Sequence, residues 1–268
     1  VTIDGILNVN KPYGITSMDV VRRVKHFSGQ KRVGHGGTLD PVATGVIPVC
    51  LGQATRVMEY LIGGTKEYRA TIELGATTDT YDSLGEVVSE GDASSVSRED
   101  VERVLKSFEG EIMQVPPMYS ALRKQGKRLY DLARAGVEVE REPRPVTVYN
   151  MKVTEWNLPS LTVEMSCSRG FYVRSFAHDI GNALGCGGHL TGLVRLRSGH
   201  FRISEASTLE EIGEMFENDT WQEAIYPPDV ALSDLRAVIL DRQQEELVGN
   251  GRPLFGLRAV PAQEDEQC

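Results

Sequence analysis

The 268-residue chain contains no run of about eighteen apolar residues, so nothing in it reads as a membrane span. Its N-terminus lacks the charged-then-apolar pattern of an export signal, which leads us to expect a cytoplasmic protein. Cysteine is scarce. Cys50, Cys167, Cys186 and Cys268 are widely spaced with no C-x-x-C pair, which argues against a zinc site and a disulfide framework and predicts reduced, mostly buried thiols. Internal repeats and low-complexity linkers are missing as well. What is present is a chain that is 40% hydrophobic, long enough for one large core and a small appendage.

Positive charge is in short supply overall. A net charge of −9 weighs against nucleic acid as a partner, but the charges are segregated along the chain. Arg22, Arg23, Lys25, Lys31 and Arg32 fall between residues 22 and 35 with no acid among them. Residues 123–144 add Arg123, Lys124, Lys127, Arg128, Arg134, Arg141 and Arg144. Glu205, Glu210, Glu211, Glu214, Glu217, Asp219 and Glu223 form an acidic stretch without Lys or Arg. If the basic segments converge they make a phosphate-binding face on an acidic body; singly, each reads as a solvated helix face.

Residues 5–10 read as a strand, followed by a turn from Lys11 to Ser17 that ends in a helix N-cap. Val20, Val21, Val24 and Phe27 share one helical face, and Val46–Leu51 is a buried apolar stretch. Lys66–Leu74 alternates, with Tyr68, Ala70, Ile72 and Leu74 on its apolar side. Ser97–Gly110 predicts a helix capped by Ser97, with Asp100 three residues on and Gly110 as its end. Pro116 and Pro117 make Val115–Ser120 irregular, and Leu129–Ala135 is a short helix closed by Gly136. Val146–Trp156 and Leu161–Ser168 pair as a hairpin through Asn157, Leu158 and Pro159. Val173–Leu184 is a helix before a turn at Gly185, Gly187 and Gly188. Strands and helices mix without a βαβ rhythm, which predicts an α+β fold with a mainly antiparallel sheet. Beyond Pro227 and Pro228, Leu232–Ala259 holds one short helix, a turn at Gly249, Asn250 and Gly251, and a strand, too little for its own core. Gln263–Cys268 is expected to fray.

The densest candidate for chemistry is Gly34–Gly45, a small-residue loop with Asp40 as its one carboxylate. Glycines at 34, 36, 37 and 45 permit positive φ or close approach of a bulky ligand, and Pro41 stiffens the position after the acid. An arbitrary Asp in such a loop is most often a turn residue. Hydrolytic glycosidases usually need two carboxylates, and this loop offers one, which weighs against hydrolysis.

Five segments together carry a resemblance. They are Asn10-Lys11-Pro12 with Gly14, Thr16 and Ser17; Gly34–Gly45; Lys66-Glu67-Tyr68; Val115–Leu122 continuing to Tyr130; and Ser168–Ser175. From about residue 5 to residue 203 the chain resembles the TruB family of bacterial tRNA pseudouridine synthases. The resemblance implies the pseudouridine synthase fold, and isomerisation of uridine 55 in the T-loop of tRNA without metal or organic cofactor. It places Asp40 as the catalytic aspartate and Arg174 as its ion-pair partner, a cation opposing the desolvation that would neutralise a carboxylate under a bound base. Tyr68 becomes the active-site tyrosine, a platform for the flipped uracil and a candidate to assist removal of the C5 proton; alone it reads as core. Flipping costs a few kcal/mol, and His35 matches the histidine that fills the vacated space. Lys11 and the Arg22–Arg32 cluster contact phosphate or shape the pocket. Leu193 lines the uracil site, although in isolation it reads as core, and Tyr172, Gly37 and Thr38 take substrate-binding positions. Gly36 stands where a threonine is usual after the histidine, and Val194 where the usual Leu-Arg-Arg run has an arginine.

The resemblance divides the chain into a catalytic domain at 1–230 and a short or truncated PUA-like segment at 231–268, and a monomer is the default state. Two other functions compete. One is a tRNA-binding and folding protein with secondary or lost catalysis. The other is a sugar hydrolase pairing Asp40 with a distant acid, Asp79 or Asp82, in Thr77–Asp82, a stretch without the ligand spacing of a calcium loop.

Overall fold

The computed structural model describes residues 2–120, 122–124, 126–137, 139–257 and 260–261. In chain order the first half runs β1 (Gly5–Lys11), α1 (Ser17–Ser28), β2 (Val33–His35), β3 (Ala43–Leu51), α2 (Met58–Gly63), β4 (Lys66–Leu74), β5 (Ala76–Thr78), β6 (Val87–Glu90), α3 (Arg98–Ser107) and β7 (Gly110–Gln114). It continues with β8 (Arg123–Lys124), β9 (Lys127–Arg128), α4 (Leu129–Arg134), β10 (Arg144–Asn157), β11 (Ser160–Cys167), α5 (Val173–Ala183), β12 (Gly188–Ser198) and β13 (Phe201–Arg202). The end comprises α6 (Leu209–Glu217), β14 (Ile225–Tyr226), β15 (Arg236–Ala237), α7 (Arg242–Gly249) and β16 (Val260–Pro261).

Ten strands form one sheet in the order β14-β1-β3-β12-β4-β11-β10-β7, with β2 added to β3 and β13 to β12. The β3–β12 pair is parallel, and the other pairs described in this sheet are antiparallel. The α+β architecture read from the sequence is therefore the one observed. Strands differ in pattern because their faces differ in cover. Along β4, Tyr68, Ala70, Ile72 and Leu74 face the main core, while Glu67 and Arg69 face outward and pair with Arg197 and Glu164. β3 is buried along nearly its whole length, since Ile47, Val49 and Leu51 join the main core and Val46 and Cys50 join a second cluster with Ile6, Leu61 and Phe201. Cover on both faces turns alternation into a continuous apolar run.

Helices α1, α3, α5 and α6 supply the main core through Val20, Val24, Val101, Leu105, Phe176, Ile180, Leu209 and Ile212. Each fully buried side chain of this size contributes about 1.5–3 kcal/mol. Three of these helices start in capping boxes, Thr16 with Asp19, Ser97 with Asp100 and Thr208 with Glu211. The expected end of the Ser97–Gly110 helix needs correction. α3 stops at Ser107 with Phe108 as C-cap, and Gly110 opens β7 at φ 93°. Phe108 turns inward edge-on to Phe176, with ring centres 5.4 Å apart, so its apolar period continues in packing after the helix has ended. Residues 188–198, which sequence periodicity left unassigned beyond the glycine turn, form β12. Two register shifts against β4, at Leu190/Gly192 and Arg195/Arg197, break the period of two.

Cys50, Cys167 and Cys186 are free and buried. Cys268 and the stretch Gln263–Cys268 lie outside the described residues. So do the side chains of Arg123, Lys124, Lys127, Arg128 and Arg134, and with them the expected convergence of the two basic segments. No helix among the described residues is long and apolar enough to cross a membrane.

Candidate active site

Asp40 sits on the loop between β2 and β3, and three side chains hold that loop from behind by its backbone. Ser17, the first residue of α1, accepts from Leu39 N at 2.8 Å and donates to Leu39 O at 2.9 Å. Lys11, with no exposed surface at all, donates to the carbonyls of Pro12 (2.9 Å), Pro41 (3.3 Å) and Ala43 (2.6 Å). Arg195, 1% exposed, donates from Nε to Val46 O at 2.6 Å, from Nη1 to Thr38 O at 3.3 Å and from Nη2 to Gly37 O at 3.3 Å. Gly14 N adds a bond to Pro41 O at 2.8 Å. Gly37 adopts φ 125° and Gly45 φ 100°, and a Cβ on Gly45 would collide with the backbone of Arg195. Two of the four loop glycines are thus required by positive φ; the other two, Gly34 and Gly36, answer to close neighbours. A Cβ on Gly36 would lie 2.8 Å from Leu61 Cβ, so the threonine usual in the family would displace α2 here.

The position of Lys11 decides between the two roles expected of it. Its three donors are spent on carbonyls and its surface is closed, so it shapes the loop and does not contact phosphate. Burial lowers the ammonium to a pKa of about 8, with Asp40 opposing that shift and Arg195 adding to it.

Arg174, in the first turn of α5, meets the loop from the other side. Its Nε lies 2.9 Å from Asp40 Oδ2, Nη2 donates to Tyr119 O at 2.7 Å, and Nη1 donates to Thr80 O at 3.4 Å. Nη1 also lies 3.7 Å from Asp82 Oδ2. The guanidinium and Asp82 are 6% and 7% exposed, whereas the Asp40 side chain is 38% exposed. Asp82 is further occupied by Thr80 Oγ1 at 2.7 Å and Leu84 N at 3.0 Å. Asp79 accepts from Glu86 N within its own turn. Asp82 is closed off from solvent and already bonded, which weighs against it as the second acid of the hydrolase reading.

Tyr68 on β4 stands opposite Arg195 on β12 and Met165 on β11, and Arg195 in turn stands opposite Gly45 on β3. Burial pushes the pKa of its phenol up, and the neighbouring Arg195 charge opposes that shift. Leu193, two residues before Arg195, lies between Ala43 and Ala70 on the same face. Tyr172 caps α5 with its backbone clasped by the Gln114 amide, N to Oε1 at 2.7 Å and O to Nε2 at 3.0 Å; burial pushes its phenol up too. His35 on β2 is half-buried, and burial, aided by Arg195, lowers its pKa below the usual imidazole value. Thr38 is exposed.

The structure therefore brings Asp40, Arg174, Arg195 and Tyr68 into one connected set. Sequence reasoning passed over Arg195 and treated Asp82 as a distant acid. The available signal for Arg195 was an arginine between Leu193, Leu196 and a serine, in a stretch with no acid to pair it.

Residues 25–173 match the model for the TruB family pseudouridylate synthase N-terminal domain, and residues 174–244 match that for the tRNA pseudouridylate synthase B C-terminal domain. Over 249 residues the chain is 47% identical to the tRNA pseudouridine synthase B of Clostridium tetani, covering 93% of this chain and 85% of that one. It is 48% identical over 251 residues to that of Geobacter sulfurreducens, covering 94% and 83%. A solved Cbf5-Nop10-Gar1 complex contains a chain with TM-score 0.75 and 32% identity, covering 94% of this chain and 69% of that one. An archaeal box H/ACA sRNP Nop10-Cbf5 complex matches with TM-score 0.73 and 28% identity, covering 96% and 71%. With family models spanning most of its length and relatives 47–48% identical over more than nine-tenths of it, the chain belongs to the TruB family of pseudouridylate synthases.

Proposed function

We propose that this protein converts the uridine at position 55, in the T-loop of tRNA, into pseudouridine, with Asp40 as the reacting carboxylate. The observation that carries this reading is the Asp40–Arg174 pair at 2.9 Å, in which the aspartate alone is open to a ligand. In the reaction the N1–C1′ bond breaks, the uracil turns, a C5–C1′ bond forms, the C5 hydrogen leaves to solvent as a proton and N1 takes up a proton, so that nothing is added or lost overall. One carboxylate beside C1′ or the uracil ring suffices for that exchange, as nucleophile or as a base acting on the ribose.

Tyr68 provides the surface on which the flipped base lies. A phenol raised by burial is protonated at neutral pH, which supports that role over one as a resting base. Leu193 closes the uracil site. His35, neutral near pH 7, fills the space the uridine leaves, and Gly37, Thr38 and Tyr172 line the approach. The exposed Arg23, Lys25, Lys31 and Arg32 supply cations for the T-arm backbone. A cytoplasmic monomer with a catalytic domain at 1–230 and a PUA-like segment at 231–268 completes the proposal. The pairing of β15 with β16 in a sheet of their own supports that boundary.

Tritium release from T-arm RNA labelled at uridine C5 tests it, because C5 loses its hydrogen when the new bond forms there. Release by the protein and none by Asp40→Asn, with RNA binding kept, is the expected result. No release by either, with binding intact, would replace the isomerase with a tRNA-binding and folding role.

A further inference from the structure

Arg195 is among the largest fully buried side chains in the molecule, and among the described residues no carboxylate lies within ion-pair distance of it. A buried charge without a counter-ion persists only if its donors are satisfied. Here they are satisfied by the backbone of Gly37, Thr38 and Val46, which brackets Asp40 on both sides, while Tyr68 stands opposite Arg195 on the neighbouring strand.

The fold makes specific arrangements for this contact. The parallel β3–β12 pair sets Arg195 opposite Gly45, five residues past the acid, and glycine at 45 lets the two backbones close up. The register shift after Arg195 re-aims its strand beside Tyr68. A guanidinium projects donors in several fixed directions in one plane, so it can serve the strand and both loop carbonyls at once. A lysine in its place offers one nitrogen.

We propose that Arg195 is a positioning residue that ties the Asp40 loop to β12 beside Tyr68, so that the carboxylate and the aromatic platform keep a fixed separation during the chemical step. The proposal rests on the isomerase reading above. With 1% of its surface exposed, Arg195 acts through those two groups and not on RNA.

The test is steady-state tritium release from C5-labelled T-arm RNA by wild type, Arg195→Lys, Tyr68→Phe and the double variant, with RNA affinity by filter binding and folding by near-ultraviolet circular dichroism. Arg195→Lys is expected to fold, to bind RNA within about threefold of wild type, and to lose about 100-fold in kcat with little change in KM, the scale of an ångström of misplacement. Its effect and that of Tyr68→Phe are expected to be non-additive, since the two side chains are cross-strand neighbours. A merely structural arginine would lower the melting temperature and leave kcat per folded molecule within about threefold, which overturns the proposal. A raised KM at unchanged kcat overturns it too, as does full additivity. Arg195→Gln, which keeps one amide donor toward Val46 O, covers misfolding of the lysine variant; if neither folds, Arg195 serves stability alone and the proposal falls. Wild-type protein without tritium release would remove the isomerase reading itself, and the positioning role with it.

Discussion

Two acid-bearing loops meet at Arg174, and they treat their carboxylates in opposite ways. In the Asp40 loop the surrounding donors go to the backbone. Lys11, Ser17 and Arg195 all bind carbonyls, and the carboxylate is left with Arg174 and an open face. In the Thr78–Leu84 turn the donors go to the acid itself, since Thr80 Oγ1 and Leu84 N bond Asp82 Oδ1 and the side chain is shut off from solvent. The same guanidinium touches both. Reactivity at one and burial at the other follow from where the hydrogen bonds are spent.

The largest expected effect comes from exchanging each acid for its amide. Asp40→Asn removes the reacting group and is expected to lower pseudouridine formation by about 1,000-fold or more while the protein stays folded and bound to RNA. Asp82→Asn leaves the reacting group in place, lets Arg174 move toward Asp40, and is expected to cost about 2 kcal/mol of stability by urea unfolding and about 30-fold in kcat. Equal effects on catalysis would break the distinction between the loops.

Lys11→Met tests whether backbone anchoring matters to the Asp40 loop. Three carbonyls lose their donor, so about 1–3 kcal/mol of stability and about tenfold in kcat should go, with RNA affinity unchanged.

Titrating Lys11 sharpens the same point. Its pKa of about 8 in the folded protein lies below the ordinary lysine value of 10.5. Between those two values the unfolded chain binds the extra proton, so the Lys11 contribution to stability rises with pH through that window. Activity should move the other way above pH 8, because a neutral amine has two N–H groups for three carbonyls. Lys66 is also lowered to about 8 and affects stability with the same sign, so the comparison is made against Lys11→Met. The alkaline fall in kcat should be present in wild type and missing in the variant.

The smallest effect belongs to Gly36→Thr. It restores the side chain usual in the family but presses on Leu61, and about 1 kcal/mol of destabilisation with kcat within twofold is expected. A gain in RNA affinity would show that a hydroxyl missing from this loop had been a contact.

Much of the fold was legible because its signals are local. The Ser97 cap, the alternation in Lys66–Leu74 and the hairpin through Pro159 each depend on residues within a few positions of one another. β12 was illegible because its two register shifts erase the period, and the α3 terminus was misplaced because Phe108 keeps a helical stripe in packing while leaving the helix. In the candidate site the residues with recognisable neighbours, Asp40, Tyr68 and Arg174, were named, while the partnership of Asp82 and the contacts of Arg195 were not.

By itself the sequence determined the mixed architecture, the single carboxylate in a glycine loop and the family, since these lie in residue types and their order. Tertiary structure alone decided which cations serve the loop and which acid is sealed. Lys11 and Arg195 act on backbone carbonyls, which carry no residue identity, and they reach them only because β1 and β12 flank β3 in the folded sheet.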